Sequence, residues 1–186
     1  QALELLLQQA DATVIRETES VALADAEGRV LAQPLTAGMD MPPWPNSAMD
    51  GYALRHADLG EAPMRVSQKI YAGLQPEPLE RGTCARIFTG APMPEGADSV
   101  EMQENTEVLA DGRVVFRQPI REGQHVRPQG GEARQGETML HAGVRLGPVE
   151  LGLAASLGAA MLEVTRRPRV ALLSTGNELV EPGQPL

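Results

Sequence analysis

Lysine, cysteine, histidine and aromatic residues are all scarce in this sequence, and no long apolar run is present. Lys69 is the only lysine among 16 basic residues, which face 25 acidic ones, giving a formal net charge of −9 over 186 residues. That balance excludes a nucleic-acid binder working through a basic face. The lysine-to-arginine skew carries no functional reading. A single cysteine, Cys84, rules out an intrachain disulfide, and a reducing cytoplasm is the simplest fit. No apolar stretch reaches 18 residues and no signal peptide is visible, so no membrane partner is expected. His56, His125 and His141 are too scattered for metal-ligand spacing. Cys84 has no activating neighbour in sequence, and inert burial is expected. The one tryptophan, Trp44, either stacks on a flat ring or anchors its own loop.

Glycine and proline are plentiful, and they frame the stretch on which the reading turns, Met41 to Leu54, MPPWPNSAMDGYAL. Pro42, Pro43 and Pro45 fix φ and push the residues before them toward extended geometry. Asn46 and Ser47 are turn formers. Gly51 permits a positive φ or a close approach by another molecule. Asp50 stands where this bend meets a strand beginning at Tyr52. It either presents a carboxylate or merely caps the turn.

Along the chain, Leu3, Leu6, Leu7 and Ala10 form one apolar helical stripe. Residues 22–27 suit a short helix, Gly28 its C-cap and residues 29–32 a strand. From Gly51 to Leu140 the pattern is mainly β. Candidate strands are 52–55, 65–71, 85–88, 99–103, 106–109, 113–117 and 138–140, with Asp111-Gly112 as a hairpin turn. Residues 74–82 read as a loop. Pro148 starts a second helix, with Val149, Leu153 and Leu157 along one side and Gly158 as its C-cap. Residues 161–165 read as a strand, and Val170 to Leu173 as a strand buried on both faces of a parallel sheet.

The expected fold is therefore mixed α/β and multidomain. Residues 1–40 and 137–165 form one discontinuous domain, 41–136 an inserted, β-rich, barrel-like domain, and 166–186 the first strand of a third, α/β domain. The chain opens at Gln1 without methionine and breaks off after a fresh strand-and-loop signal, so a piece of a longer protein is expected.

Thr89-Gly90-Ala91-Pro92 follows a strand, where a hydroxyl and backbone N–H groups either bind an anion or form an ordinary turn. Ser174-Thr175-Gly176 repeats that chemistry at the end of the buried run, where ligands bind in open α/β sheets. Glu178, just beyond, either shares a divalent cation or caps the next helix. Glu101, Glu104 and Glu107 read as a solvated strand edge. Arg127, Arg134, Arg145, Arg166, Arg167 and Arg169 either hold phosphates or form surface pairs.

PNSAMDGYA closely resembles the signature loop of the MoeA family, the molybdopterin molybdenumtransferases, whose eukaryotic relatives include the E domain of gephyrin. Two further blocks match in order, Arg86 to Glu107 and Arg166 to Leu186. The resemblance implies an elongated homodimer. Its cleft lies between the β-rich domain of one chain and the third, molybdopterin-binding type domain of the other. There, molybdate is inserted into adenylylated molybdopterin supplied by a molybdopterin adenylyltransferase, a divalent cation such as Mg2+ assists, and AMP leaves. It implies catalytic roles for Asp50, Thr89 and Glu178, with Glu178 also on the metal. Substrate contacts are implied from Asn46, Ser47, Met49, Gly51, Tyr52, Gly90, Pro92, Ser174, Thr175 and Gly176. Pro45 replaces a common aspartate of the family, and Ala133 replaces the aspartate of its Gly-Glu-Asp block. Those two departures leave a non-catalytic pterin carrier or scaffold as the alternative.

Overall fold

The computed structural model describes residues 2–176, 179–180 and 182–184. It divides into two compact units, residues 1–35 with 140–186 and residues 36–139. The elements are α1 (Ala2–Ala12), β1 (Thr18–Ala22), β2 (Leu35–Thr36), β3 (Asn46–Ser47), β4 (Gly51–Leu54), β5 (Arg65–Ile70), β6 (Thr83–Ile87), β7 (Ser99–Met102), β8 (Thr106–Val108), β9 (Val114–Phe116), β10 (Val126–Arg127), β11 (Thr138–Leu140), α2 (Pro148–Ser156) and β12 (Met161–Thr165), with three short 3-10 turns between them.

In the first unit β1 and β12 pair antiparallel, from Thr18 opposite Thr165 to Ala22 opposite Met161. Helix α2 starts at Pro148, and the Glu150 carboxylate turns back to accept from the Gly147 N–H, closing a cap. The core gathers Ala26, Leu31, Leu146, Ala154, Leu162 and Val164. Ala154 is the buried residue of α2, and Val149 points to solvent, so the packed side of the helix is not the row the spacing suggested. Leu3, Leu6 and Leu7 of α1 are likewise exposed; their stripe finds no cover among the described residues.

The run 170–173 departs furthest from expectation. No strand forms there, and Val170, Leu172 and Leu173 stand in solvent. A strand needs a neighbour for its N–H and C=O groups, and none pairs with this run among the described residues.

The second unit is built on a four-stranded sheet in the order β5-β6-β4-β7. β4 pairs antiparallel with both β6 and β7, whereas β5 and β6 are parallel. A parallel pair needs a crossover, supplied by residues 71–82, with Leu79 tucked into the core and its N–H donating to the Glu95 carbonyl. The strict alternation of β4 serves two cores. Ala53 faces Ile70, Leu79, Ala85, Ile87, Ala91 and Val100. Tyr52 and Leu54 face Met64, Cys84, Val114 and Ile120 on the other side. The hairpin β8–β9 covers that second face, closed by the turn at Asp111-Gly112 as read from sequence. The sheet is open: no closed barrel forms among the described residues, because β5 and β7 remain its two edges. Burial in the second core pushes the Cys84 thiol up to about 12, so the inert state expected for it holds.

Candidate active-site loops

Register brings two of the expected residues together. Gly51 at the start of β4 lies opposite Ile87 at the end of β6, so the loop before one strand adjoins the loop after the other. Those loops then zip along each other. Gly90 N–H donates to the Ser47 carbonyl, Ser47 N–H to the Ala91 carbonyl, and Met93 N–H to the Pro45 carbonyl. Gly90 holds a φ of 79°, the left-handed geometry that lets the second loop turn back onto the first. A third segment joins through β10, whose Arg127 pairs with Asn46, and through the His125 carbonyl, which accepts from the Ala48 N–H.

At the head of this ladder sits a carboxylate–hydroxyl latch. Asp50 Oδ1 accepts from the Thr89 N–H at 2.8 Å and from the Thr89 hydroxyl at 2.9 Å. Its Oδ2 makes no hydrogen bond to a described residue. The Asp50 carbonyl accepts from the Gln103 N–H, which ties the backbone from the other side. Both residues are exposed. The Thr89 N–H and then the Thr89 hydroxyl hold the Asp50 carboxyl below its ordinary value of 3.8 against the opposing effect of desolvation, and the charge of Arg86 adds a smaller lowering. A lowered folded value means that the latch contributes fully above the ordinary value and is lost as pH falls through the depressed one. The Thr89 amide resonance is therefore expected to titrate with a midpoint below 3.8, and a midpoint at or above it would show that the latch is open in solution.

The latch changes the chemistry expected of Thr89-Gly90. The Thr89 hydroxyl and N–H are both committed to Asp50, and the Gly90 N–H to Ser47. The turn therefore has no donors left for an anion, and what it presents outward is acceptor oxygen. Such a surface suits a cation or a donor-bearing ligand.

The other expected contacts are placed as follows. Ser47 is fully buried and its hydroxyl donates to the Met49 carbonyl at 2.6 Å, which braces the bend. Gly51 does serve a close approach, but by its own sheet: a Cβ there would lie 1.9 Å from the Glu101 carbonyl oxygen. Tyr52 is a core side chain, set edge-on to Phe116 with the Arg86 guanidinium over its ring. Asn46 is also buried, and its Oδ1 has no hydrogen-bond partner among the described residues. Met49, Gly90 and Pro92 keep open or half-open surface beside the latch. Ser174, Thr175 and Gly176 are exposed, and Glu178 lies outside the described residues.

Glu101 went unrecognised in the sequence. Read as a solvated edge, it is instead wholly buried. Its Oε1 accepts from the Met102 N–H and Asn105 Nδ2, and its Oε2 from Gln124 Nε2. These bonds fix the turn that carries Gln103, whose N–H holds the Asp50 carbonyl and whose side chain receives the Arg86 guanidinium. No local pattern signals this, since Gln124 arrives from a distant loop. Arg127, one of six arginines whose sequence positions suit either phosphate contact or surface pairing, is exposed, pairs in register with Asn46 of the latch loops, and makes no ion pair among the described residues.

The adjoining strand ends of an open mixed sheet thus carry an exposed carboxylate latch, in a chain that is mostly sheet with few helices, and the relatives give the family. Residues 1–158 match the model of the MoeA N-terminal region (domain I and II). The chain is 43% identical over 178 residues to a molybdopterin molybdenumtransferase of Nostoc, covering 92% of this chain and 41% of the relative. It is 30% identical to gephyrin of Dictyostelium discoideum, covering 97% of this chain and 27% of that one. A crystal structure of a molybdopterin biosynthesis MoeA protein from Pyrococcus superposes with a TM-score of 0.84 at 33% identity, over 99% of this chain and 49% of that one. The chain belongs to the MoeA family. It spans less than half the length of the relatives it matches.

Proposed function

We propose that the protein acts in molybdenum cofactor biosynthesis as a molybdopterin molybdenumtransferase, inserting molybdate into adenylylated molybdopterin with release of AMP. The observation that carries this reading is the latch: Asp50 and Thr89, the two described residues for which the resemblance implies catalytic roles, meet at hydrogen-bond distance in exposed positions. The reaction breaks a phosphate anhydride. Water adds to the molybdopterin-side phosphorus and gives up a proton to solvent, the bridging P–O bond breaks, and AMP departs with the electron pair of that bond. The lowered pKa of the Asp50 carboxyl makes its carboxylate a poor general base near neutral pH, where that role asks for a matched value. It is suited to fixed negative charge, orienting a cation or a donor.

Mg2+ is commonly held by one or two carboxylates, waters and substrate phosphate oxygens, without a full protein cage. The residues fit that mode. No cluster of three acidic, histidine or cysteine side chains exists among the described residues, and one free oxygen of Asp50 does. Asp50 Oδ2 would hold the ion, with Glu178 as the second carboxylate. The ion, when bound, supplies charge neutralisation at the phosphates. Arg127, exposed and opposite Asn46 in register, would attract the substrate's phosphate. The reading includes a cytoplasmic homodimer whose cleft is completed by the third domain of the second subunit, with Ser174, Thr175 and Gly176 contributing there, and an upstream molybdopterin adenylyltransferase. The testing assay is molybdate-dependent AMP release by the whole protein. Absence of molybdate-dependent AMP release by the whole protein would remove the proposal, and turnover that survives loss of the Asp50 charge would remove the role given to Asp50.

Pro45 and Ala133 favour a second reading, a non-catalytic pterin carrier or scaffold. Ala133 is almost fully buried, bridged to the Met41 backbone. Restoring the family's acid by Ala133→Asp is expected to lower stability by about 1–3 kcal/mol, the cost of an unpaired polar group in such a place. Thermal unfolding measures it. An unchanged or raised Tm would show that the carboxylate reaches water or a cation, and a gain of turnover would show that position 133 limits activity.

A further inference from the structure

The loop ladder continues past the latch into a groove that the reading above does not use. Its far end is Trp44 and Met93, one step beyond the Met93–Pro45 bond. A groove of about 770 Å³ opens there. Trp44 lies on one side, the crossover loop with Leu74, Pro76 and Glu77 on another, and Pro92, Met93 and Glu95 between them. The size falls within the range of about 300–1,000 Å³ usual for cofactor and small-molecule pockets.

Three observations define the occupant. Trp44 is the only tryptophan in the chain and is 52% exposed, so its indole stands on the groove unburied by its own loop. Leu74 is also exposed beside it, giving the indole an apolar companion. Glu77 and Glu95 both line the groove, and neither makes an ion pair among the described residues. The backbone beneath both is fixed: Gln68 bonds the Glu77 N–H and carbonyl, and the Glu95 carbonyl accepts from the Leu79 N–H. Flat apolar surface flanked by rigidly based acceptors fits a planar heterocycle with a row of N–H donors on one edge. A phosphate would be repelled by the same two charges.

We propose that this groove binds the pterin ring of the substrate, stacked on Trp44, with its amino and ring N–H donors directed at Glu77 and Glu95. The proposal rests on the molybdopterin reading of the latch. It assigns the two ends of one ligand to the two ends of the ladder: the aromatic, donor-rich end to the groove, the phosphate end to the latch and Arg127. The division follows the charges, since the ring end carries donors for carboxylates and the phosphate end needs a cation.

The test uses Trp44 as its own reporter. Titrating the chain with 6-hydroxymethylpterin, which has no phosphate, is expected to quench tryptophan fluorescence saturably. The double variant Glu77→Gln with Glu95→Gln keeps the indole and is expected to bind about tenfold more weakly. Trp44→Ala, followed by the pterin's own fluorescence, is expected to weaken binding by a similar factor, within the range of about 5- to 150-fold for lost stacking on a base. Melting curves confirm that the variants fold. Absence of saturation, equal affinity of the acidic double variant, or equal binding of naphthalene-type rings lacking the amino edge would each overturn the proposal. So would saturation by a basic, proline-rich peptide in place of the pterin. Failure of the underlying function is distinguished by the AMP-release assay. If turnover depends on Asp50 and molybdate while pterin affinity ignores Trp44, Glu77 and Glu95, the groove assignment alone falls.

Discussion

Asp50→Asn in the whole protein is expected to lower molybdate-dependent AMP release by about 10²- to 10³-fold, the loss typical of removing one fixed electrostatic group from an active site. The substitution is nearly isosteric. The asparagine oxygen still accepts from the Thr89 N–H and hydroxyl, so the latch and the ladder survive. What changes is the outward atom, from a charged acceptor to an amide donor. Stability should therefore barely move, because the side chain is exposed and its bonds to Thr89 are kept. A loss of turnover with an unchanged melting curve locates the effect in chemistry or cation binding. Added Mg2+ at high concentration should recover part of the rate if the role is metal binding, and none if Asp50 orients the substrate directly. Full activity in the variant would leave the family membership standing and remove the site.

Gly51→Ala is expected to produce the largest loss of stability of any single methyl addition in the second unit. The new Cβ would meet the Glu101 carbonyl oxygen at 1.9 Å and its carbon at 2.8 Å, both backbone atoms that cannot swing aside. β4 lies between β6 and β7, so separating it from β7 strains the middle of the sheet. Overpacking ordinarily costs about 1–3 kcal/mol, and a backbone collision at this site should exceed the top of that range. The same displacement would move Asp50, the adjacent residue, and disturb the buried Glu101 and the bonds it accepts from Met102, Asn105 and Gln124. Chemical denaturation measures the effect. A midpoint within error of the parent chain would show that β4 and β7 are further apart than 1.9 Å implies.

Strands β4 to β9 were legible as short apolar or β-branched runs, and their sequence ranges differ from the observed ones mostly at the ends, whereas the two-residue strands β3 and β10 were not, since Asn46 and Ser47 read as turn formers. The adjacency of Asp50 and Thr89 was not legible from residue pattern. It depends on which strands neighbour β4, and strand order is a property of the whole sheet. Family resemblance supplied both residues without supplying the bond between them. Glu101 was misread for the opposite reason. An acidic residue on an alternating strand ordinarily faces water, and only Asn105 and Gln124 make its burial tolerable. Ser47 shows how a hydroxyl in a motif can serve the backbone. The run at residues 170–173 has the composition of a buried strand, but composition sets a preference that only a neighbouring strand can satisfy.

The pairing of Thr18 with Thr165 sets an order of events during synthesis. β1 leaves the ribosome early and finds its mate only after the whole of residues 36–139 has been made. The contacts of the inserted unit are complete by then, so it is free to fold first and, once folded, to bring the two distant halves near each other, replacing a long floppy closure with a short one. Until β12 emerges, β1 is an unpaired edge, and the nascent chain is most vulnerable to aggregation in that interval.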